Sequence, residues 1–104
     1  MKINLLDCTL RDGGYYNNWD FPNELVQNYL NSMADSAVEY VELGFRFANK
    51  NTYMGPCAYT TDLYINSLKI PKGIKLGIML NAKDIISSKM SDKKKIRVFF
   101  NNFK

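Results

Sequence analysis

The sequence predicts an α/β fold with a parallel sheet, built as half of a (β/α)8 barrel with about four strands and alternating helices. Short apolar runs recur at residues 3–8, 38–45, 74–80 and 96–100, each with the length and composition of a buried strand. Amphipathic stretches of helical spacing lie between them, which calls for right-handed β-α-β units and parallel neighbours. The 104 residues amount to one small domain, against about 250 for a whole barrel. A flavodoxin-like open sheet is the competing architecture. It usually has five strands, and the first strand here leads into Arg11-Asp12-Gly13-Gly14, which is not a GxGxxG phosphate loop.

The first strand, over 3–8, is mostly apolar and ends at Gly13-Gly14, after which 15–20 reads as a polar and aromatic loop. Tyr15, Tyr16 and Trp19 are expected to pack that loop. Pro22 suits the first turn of a helix, and Glu24 favours its positive end. Leu25, Val26, Tyr29, Leu30, Met33, Ala34 and Ala37 form an apolar stripe, so the first helix is expected over 22–36. The second strand, over 38–45, is led by Val38, Tyr40, Val41, Leu43 and Phe45. Glu39 reads as a solvated strand start, whereas Glu42 lies deep in the run, an unusual place for a carboxylate.

Residues 48–59 form a long irregular stretch with a Gly55-Pro56 turn, and loops of that length are usually functional or mobile. Thr60 or Thr61 can cap a short helix running to about Leu68. A turn at Pro71-Lys72-Gly73 precedes the third strand, over 74–80. Asn81 then caps a helix striped by Ala82, Ile85, Ile86 and Met90, a charged connector covers 91–95, and the fourth strand follows at 96–100.

Composition narrows the functional classes. The chain is 46% hydrophobic and 13% aromatic, enough to build a core. The net charge of +4 comes largely from Lys89, Lys93, Lys94, Lys95, Arg97 and Lys104. No aromatic-interleaved recognition motif accompanies these lysines, so a solvated helix end is expected and nucleic acid is not. Cys8 and Cys57 are far apart and form no metal-spaced pair, and Cys8 is expected to be a buried free thiol, which suits a reducing cytosol. The N-terminal apolar stretch is too short for a signal peptide, and no run reaches the roughly 20 apolar residues of a membrane span. A cytoplasmic chain without membrane contact is expected. There is no histidine, so a metal or acid–base site must use carboxylates, tyrosines, cysteines or residues from elsewhere.

Strand ends converge on one face of a parallel barrel, and Arg11, Asp12, Glu42, Arg46 and Asn81 all fall at or near such ends. Asp12 suits a hard divalent cation. Arg11 can stabilise a developing enolate or bind a carboxylate through its planar fork. Glu42 can orient Arg11 or carry a proton, and Arg46 can bind an anionic substrate. Arg-Asp-Gly-Gly is equally a good turn, with Asp bonding its own backbone and Gly taking positive φ, and Glu42 is equally a structural partner of Arg11 or Arg46. Spacing alone leaves both readings open.

The stretch LLDCTLRDGGY with the later VELGFR resembles the DRE-type TIM-barrel metal-dependent lyases, a superfamily that includes 4-hydroxy-2-oxovalerate aldolase and 3-hydroxy-3-methylglutaryl-CoA lyase. The run DCTLRDGGYYNNWDF, residues 7–21, is similar to aldolase-type members in particular. The resemblance extends over the whole chain and implies an N-terminal half-barrel, a partial aldolase-type domain over 1–104 truncated after its fourth strand. It implies Asp12 as a ligand of Mn²⁺ or Mg²⁺, Arg11 as the arginine at the enolate oxygen, Glu42 as the family glutamate paired with it, and Asp7 as a structural position behind them. The chemistry implied is carbon–carbon bond cleavage or formation through a metal-stabilised enolate of a 2-oxo acid or hydroxy acid substrate.

Two positions depart from that pattern. Tyr15 stands where the hydroxy-oxovalerate aldolases carry a catalytic histidine, and a phenol with an ordinary pKa near 10 is a poor base at neutral pH. The family's His-x-His pair from a later strand has no counterpart, so the metal site is incomplete and the chain alone is expected to be inactive. A half-barrel also leaves sheet edges open, so the alternative function is a non-catalytic half-barrel that self-associates or pairs with a complementary half.

Overall fold

The computed structural model describes residues 2–48 and 52–86, and the element order is strand, short helix with a 3-10 turn, long helix, strand, two short helices, strand, helix. Strands β1 (Leu6–Asp7), β2 (Tyr40–Phe45) and β3 (Lys75–Met79) form one three-stranded sheet in the order β1-β2-β3, and both pairings are parallel. A flavodoxin-like sheet would place the first strand between the second and third. Here β2 is central. The same 1-2-3 order opens a dinucleotide-binding sheet, but the glycine fingerprint of that fold is missing from the turn after β1. The molecule is therefore α/β with a parallel sheet. The expected fourth strand, the connector before it and the end of the last helix lie outside the described residues.

Helix α2 (Asn23–Asp35) begins one residue later than expected, with Pro22 at its N-cap. Val26 and Leu30 are completely buried, each contributing about 1.5–3 kcal/mol by leaving water, while Leu25 and Ala37 of the expected stripe are exposed. Along β2, Val41 and Leu43 are buried and Tyr40 and Glu42 half-buried, the alternation of a strand with one face on the core. The core joins these residues to Leu10, Trp19, Phe45, Cys57, Ala58 and Ile74. Opposite β3, the register of β2 slips between Glu42 and Gly44, a bulge beside the one carboxylate in the strand.

Three expectations need correction. The first strand is two residues long and is an edge: Ile3, Leu5 and Leu6 are 75%, 54% and 58% exposed, because β2 is its one neighbour among the described residues. Cys8 is half-buried; Cys57 is the buried thiol, and both are free. Gly55-Pro56 starts helix α3 (Pro56–Tyr59), with Pro56 at its first position. Helix α4 (Asp62–Ser67) follows, capped by Thr61, whose hydroxyl accepts the Tyr64 N–H at 3.0 Å. Thr60 instead takes a left-handed conformation (φ 37°) between the two helices. Helix α5 (Ala82–Ile86) is opened by Asn81, whose side-chain oxygen accepts the Lys83 N–H at 3.1 Å. Among the described residues no helix is long and apolar enough to cross a membrane.

Candidate active site

The chain turns at the end of β1 through a short helix, α1 (Thr9–Gly13), followed by a 3-10 turn over Gly14–Tyr16. Asp7 makes this happen. Its carboxylate accepts the Thr9 N–H at 2.9 Å and the Thr9 hydroxyl at 3.1 Å, satisfying a donor that the first helical turn leaves open. The Tyr29 hydroxyl of α2 donates to the same carboxylate. Burial works against a charged Asp7, but the hydrogen bonds from Tyr29 and Thr9 outweigh it and hold the carboxyl below its usual range. Burial and the Asp7 contact push the Tyr29 phenol up, so it stays a donor.

Arg-Asp-Gly-Gly is therefore helical, and the turn geometry expected of it is absent: Gly13 and Gly14 have φ of −66° and −62°. Helical geometry directs Arg11 across to β2. Its Nε donates to Glu42 Oε2 at 2.8 Å, with the two side chains 21% and 18% exposed. The Glu42 hydrogen bond and charge raise the Arg11 pKa further, against a smaller opposing effect of burial, so the guanidinium is a permanent cation. Asp12 points outward: its side chain is 74% exposed, and Oδ1 lies 3.9 Å from Arg11 Nη1. It borders an open depression of about 430 Å³ with Asp7, Cys8 and Thr9.

Trp19 holds this turn in place and is a core residue, although its position in a polar loop gave no sign of that. It is 5% exposed, and its indole N–H donates to the Arg11 carbonyl at 2.8 Å. Asn18 and Trp19 both have positive φ (58° and 56°), which swings the ring inward, and the loop is pinned by the Gly55 N–H donating to Asn18 O at 2.8 Å. Tyr15 is 61% exposed and meets Trp19 edge-on at 4.8 Å.

Arg46 sits elsewhere. It is 2% exposed, with Nε and Nη2 donating to the Thr60 carbonyl at 3.1 and 2.6 Å and Nη2 also to Asp62 at 3.0 Å. The guanidinium fastens the end of β2 to the junction of α3 and α4, and so is not offered to a dissolved anion. Asn81 lies at a second opening beyond β2 and β3, a cleft of about 400 Å³ that also includes Trp19 and Phe47. This is the more enclosed of the two, yet Arg11, Asp12 and Glu42 do not line it; Trp19 is the link between cleft and ion pair.

Asp12 is a hard oxygen donor of the kind Mg²⁺ or Mn²⁺ takes, but among the described residues no group of three potential ligands gathers in space. These ions expect about six ligands, so the fit is right in kind and short in number.

No family model and no curated protein matches the chain. Among solved structures, it is similar to the N-terminal domain of a candidate aldolase from Bacteroides vulgatus, at 42% sequence identity and a TM-score of 0.72. The similarity covers 79% of this chain and 27% of that one, so the chain spans about a quarter of the structure it matches. Fold and sequence together support an aldolase-like N-terminal domain.

Proposed function

We propose that this chain is the N-terminal half-barrel of a DRE-type, metal-dependent carbon–carbon lyase acting on a 2-oxo acid or hydroxy acid. The observation that carries the reading is the Arg11–Glu42 pair, a cation held at 2.8 Å between the turn that follows β1 and the middle of the adjacent parallel strand β2, with Asp12 exposed beside it. In a retro-aldol cleavage the bond between C3 and C4 breaks, the 4-hydroxyl proton passes to a base as the aldehyde forms, and the electron pair develops as negative charge on the C2 oxygen. Arg11 supplies fixed N–H donors to that oxygen, and Glu42 keeps the fork aimed so that little reorganisation is needed. Tyr15, exposed on the turn that follows α1, is the candidate for proton transfer. Asp12 would supply one ligand to a Mn²⁺ or Mg²⁺ ion, which when bound would polarise the substrate carbonyl. The chain alone is inactive on this reading, and its free thiols suit the cytoplasm.

The test is pyruvate release from 4-hydroxy-2-oxo acids, with added Mn²⁺, by the longest natural chain carrying this sequence. Metal-dependent release that Asp12→Ala abolishes is expected. Undiminished turnover in Asp12→Ala at limiting metal would overturn the reading.

A second reading, a non-catalytic half-barrel that pairs with a copy of itself, is favoured by the exposure of Ile3, Leu5 and Leu6 along an edge strand.

A further inference from the structure

Arg11 is held at both ends against the same strand. Its Nε donates to Glu42 of β2 at 2.8 Å, which fixes the guanidinium. Its carbonyl accepts the Trp19 indole N–H at 2.8 Å, which fixes the backbone. Trp19 in turn meets Phe45 at the end of β2 edge-on at 5.3 Å, and Phe47 just beyond it at 5.1 Å. The indole therefore refers the backbone of α1 to the strand that carries Glu42. Helix α1 has five residues, too few to hold its shape without partners, so its geometry depends on such contacts. Asp7 supplies one near its start, and Trp19 supplies another toward its end. The indole reaches this position from a strained backbone. Asn18 and Trp19 have φ of 58° and 56°, a region unfavourable to a bulky side chain. The Gly55 and Cys57 N–H groups donate to the Asn18 and Trp19 carbonyls at 2.8 and 3.3 Å and keep them there. A phenylalanine at position 19 would supply apolar bulk to the core; the N–H is what reaches Arg11.

We infer that Trp19 is a positioning residue: its indole N–H fixes the Arg11 backbone so that Glu42 holds the guanidinium in one orientation. An arginine side chain has several rotatable bonds, and a single hydrogen bond at Nε leaves its base free to shift unless the carbonyl is held as well. The catalytic consequence, a guanidinium aimed at the enolate oxygen, rests on the lyase reading above. The linkage from Trp19 through Arg11 to Glu42 does not depend on it.

Trp19 is the chain's one tryptophan, so biosynthetic replacement of tryptophan alters this position alone. 3-Benzothienylalanine keeps the shape of the indole and puts sulfur where the N–H stands, whereas 5-fluorotryptophan keeps the N–H. Hydrogen exchange at the arginine Nε–H groups is followed by NMR in the 104-residue chain. Arg46, whose Nε donates to the Thr60 carbonyl at 3.1 Å, is the internal reference. In the sulfur analogue, exchange at Arg11 is expected to rise at least about fivefold relative to Arg46, and the Arg11 Nε–H resonance to shift. With 5-fluorotryptophan both are expected to match the unsubstituted chain. An indole that only supported the fold would raise exchange at the two arginines alike. Equal acceleration of both, an unchanged Arg11, or the same acceleration in the 5-fluoro chain would each overturn the proposal. The unsubstituted chain gives a second measurement. As urea is raised below the unfolding transition, protection of the Trp19 indole N–H and of the Arg11 Nε–H should fall together. Arg11 protection that outlasts that of Trp19 would equally overturn it. Neither readout involves turnover, so a failure of the lyase reading in the Asp12→Ala assay and a failure of this one are separate results.

Discussion

Arg11 and Glu42, 31 residues apart in sequence, meet through a single Nε–Oε2 hydrogen bond of 2.8 Å that ties helix α1 to the central strand. Both side chains are about four-fifths buried, so the pair is partly shielded from solvent and its coupling should be measurable. A double-mutant cycle with Arg11→Met and Glu42→Gln, followed by urea unfolding, is expected to give a coupling energy of about 1–2 kcal/mol. Additivity within about 0.3 kcal/mol would mean that the two residues act independently. Arg11→Lys is expected to lose most of the coupling as well, because an ammonium lacks the planar fork.

Asp7 and Tyr29 make stability depend on pH. Hydrogen bonds hold the folded Asp7 carboxyl below its unfolded value of about 3.9. Its contribution is therefore complete above that unfolded value and is lost as pH falls through the folded one. Tyr29→Phe removes a donor without changing the ring, and should lower stability by about 1 kcal/mol at pH 7. The gap between wild type and Tyr29→Phe is expected to narrow between pH 7 and an acid pH below the folded Asp7 value, where the carboxyl is protonated in both folded and unfolded chains. Unfolding curves at the two pH values check this, and a gap that stays constant with pH would exclude the carboxylate as Tyr29's partner.

Gly13 and Gly14 are adjacent, share helical dihedrals and should respond oppositely to alanine. A Cβ on Gly13 meets nothing within 4 Å, and its φ of −66° suits any residue. Gly13→Ala should stabilise the chain by about 0.4–1 kcal/mol by restricting the unfolded state. A Cβ on Gly14 would run into the Trp19 ring, which is buried and cannot retreat without releasing the Arg11 carbonyl. Gly14→Ala should cost about 1–3 kcal/mol or more. Thermal melts of the two variants decide the matter: shifts of the same sign would contradict the packing of Trp19 against this turn.

The sequence made the alternation of elements legible because strand and helix periods differ and each run was long enough to show its own. Helix α2 falls within a residue of its expected start for that reason. Glu42 was legible as a paired position because a carboxylate inside an apolar run needs a partner, and Arg11 is that partner. Trp19 and Arg46 were not legible, and for one physical reason. Each is buried by a segment that arrives much later in the chain: Gly55 pins the Trp19 loop, and Thr60 and Asp62 receive the Arg46 guanidinium. The helical turn at Arg11 was missed because its cap, Asp7, lies inside what reads as a strand. The spacing Asp7-x-Thr9 is a signal for such a cap and could have located it.

Leu6 sits on the edge strand opposite Tyr40 and is 58% exposed, as are Ile3 and Leu5 to similar or greater extents. If the edge pairs with another copy, charge there should prevent it. Sedimentation of the chain is expected to show association that grows with concentration, and Ile3→Lys with Leu6→Lys is expected to shift it to monomer. A wild-type monomer at all accessible concentrations would remove the pairing reading.

Thr60 is fully buried, and its hydroxyl serves two carbonyls, Phe45 O at 2.8 Å and Cys57 O at 3.1 Å, while its own carbonyl receives Arg46. One residue thus joins the end of β2, helix α3 and the buried guanidinium, and it does so from a left-handed conformation that a β-branched residue adopts at some cost. The hydroxyl should therefore matter more than the methyl. Thr60→Ser keeps the hydroxyl and is expected to cost about 1 kcal/mol, the value of a buried methyl. Thr60→Val keeps the shape and leaves both carbonyls without their donor, an expected loss of about 1–3 kcal/mol. Urea midpoints rank the two variants. Equal losses would show that packing, and not the hydroxyl, fixes the junction, whereas a larger loss in Thr60→Val makes the hydroxyl the reason a threonine tolerates this backbone.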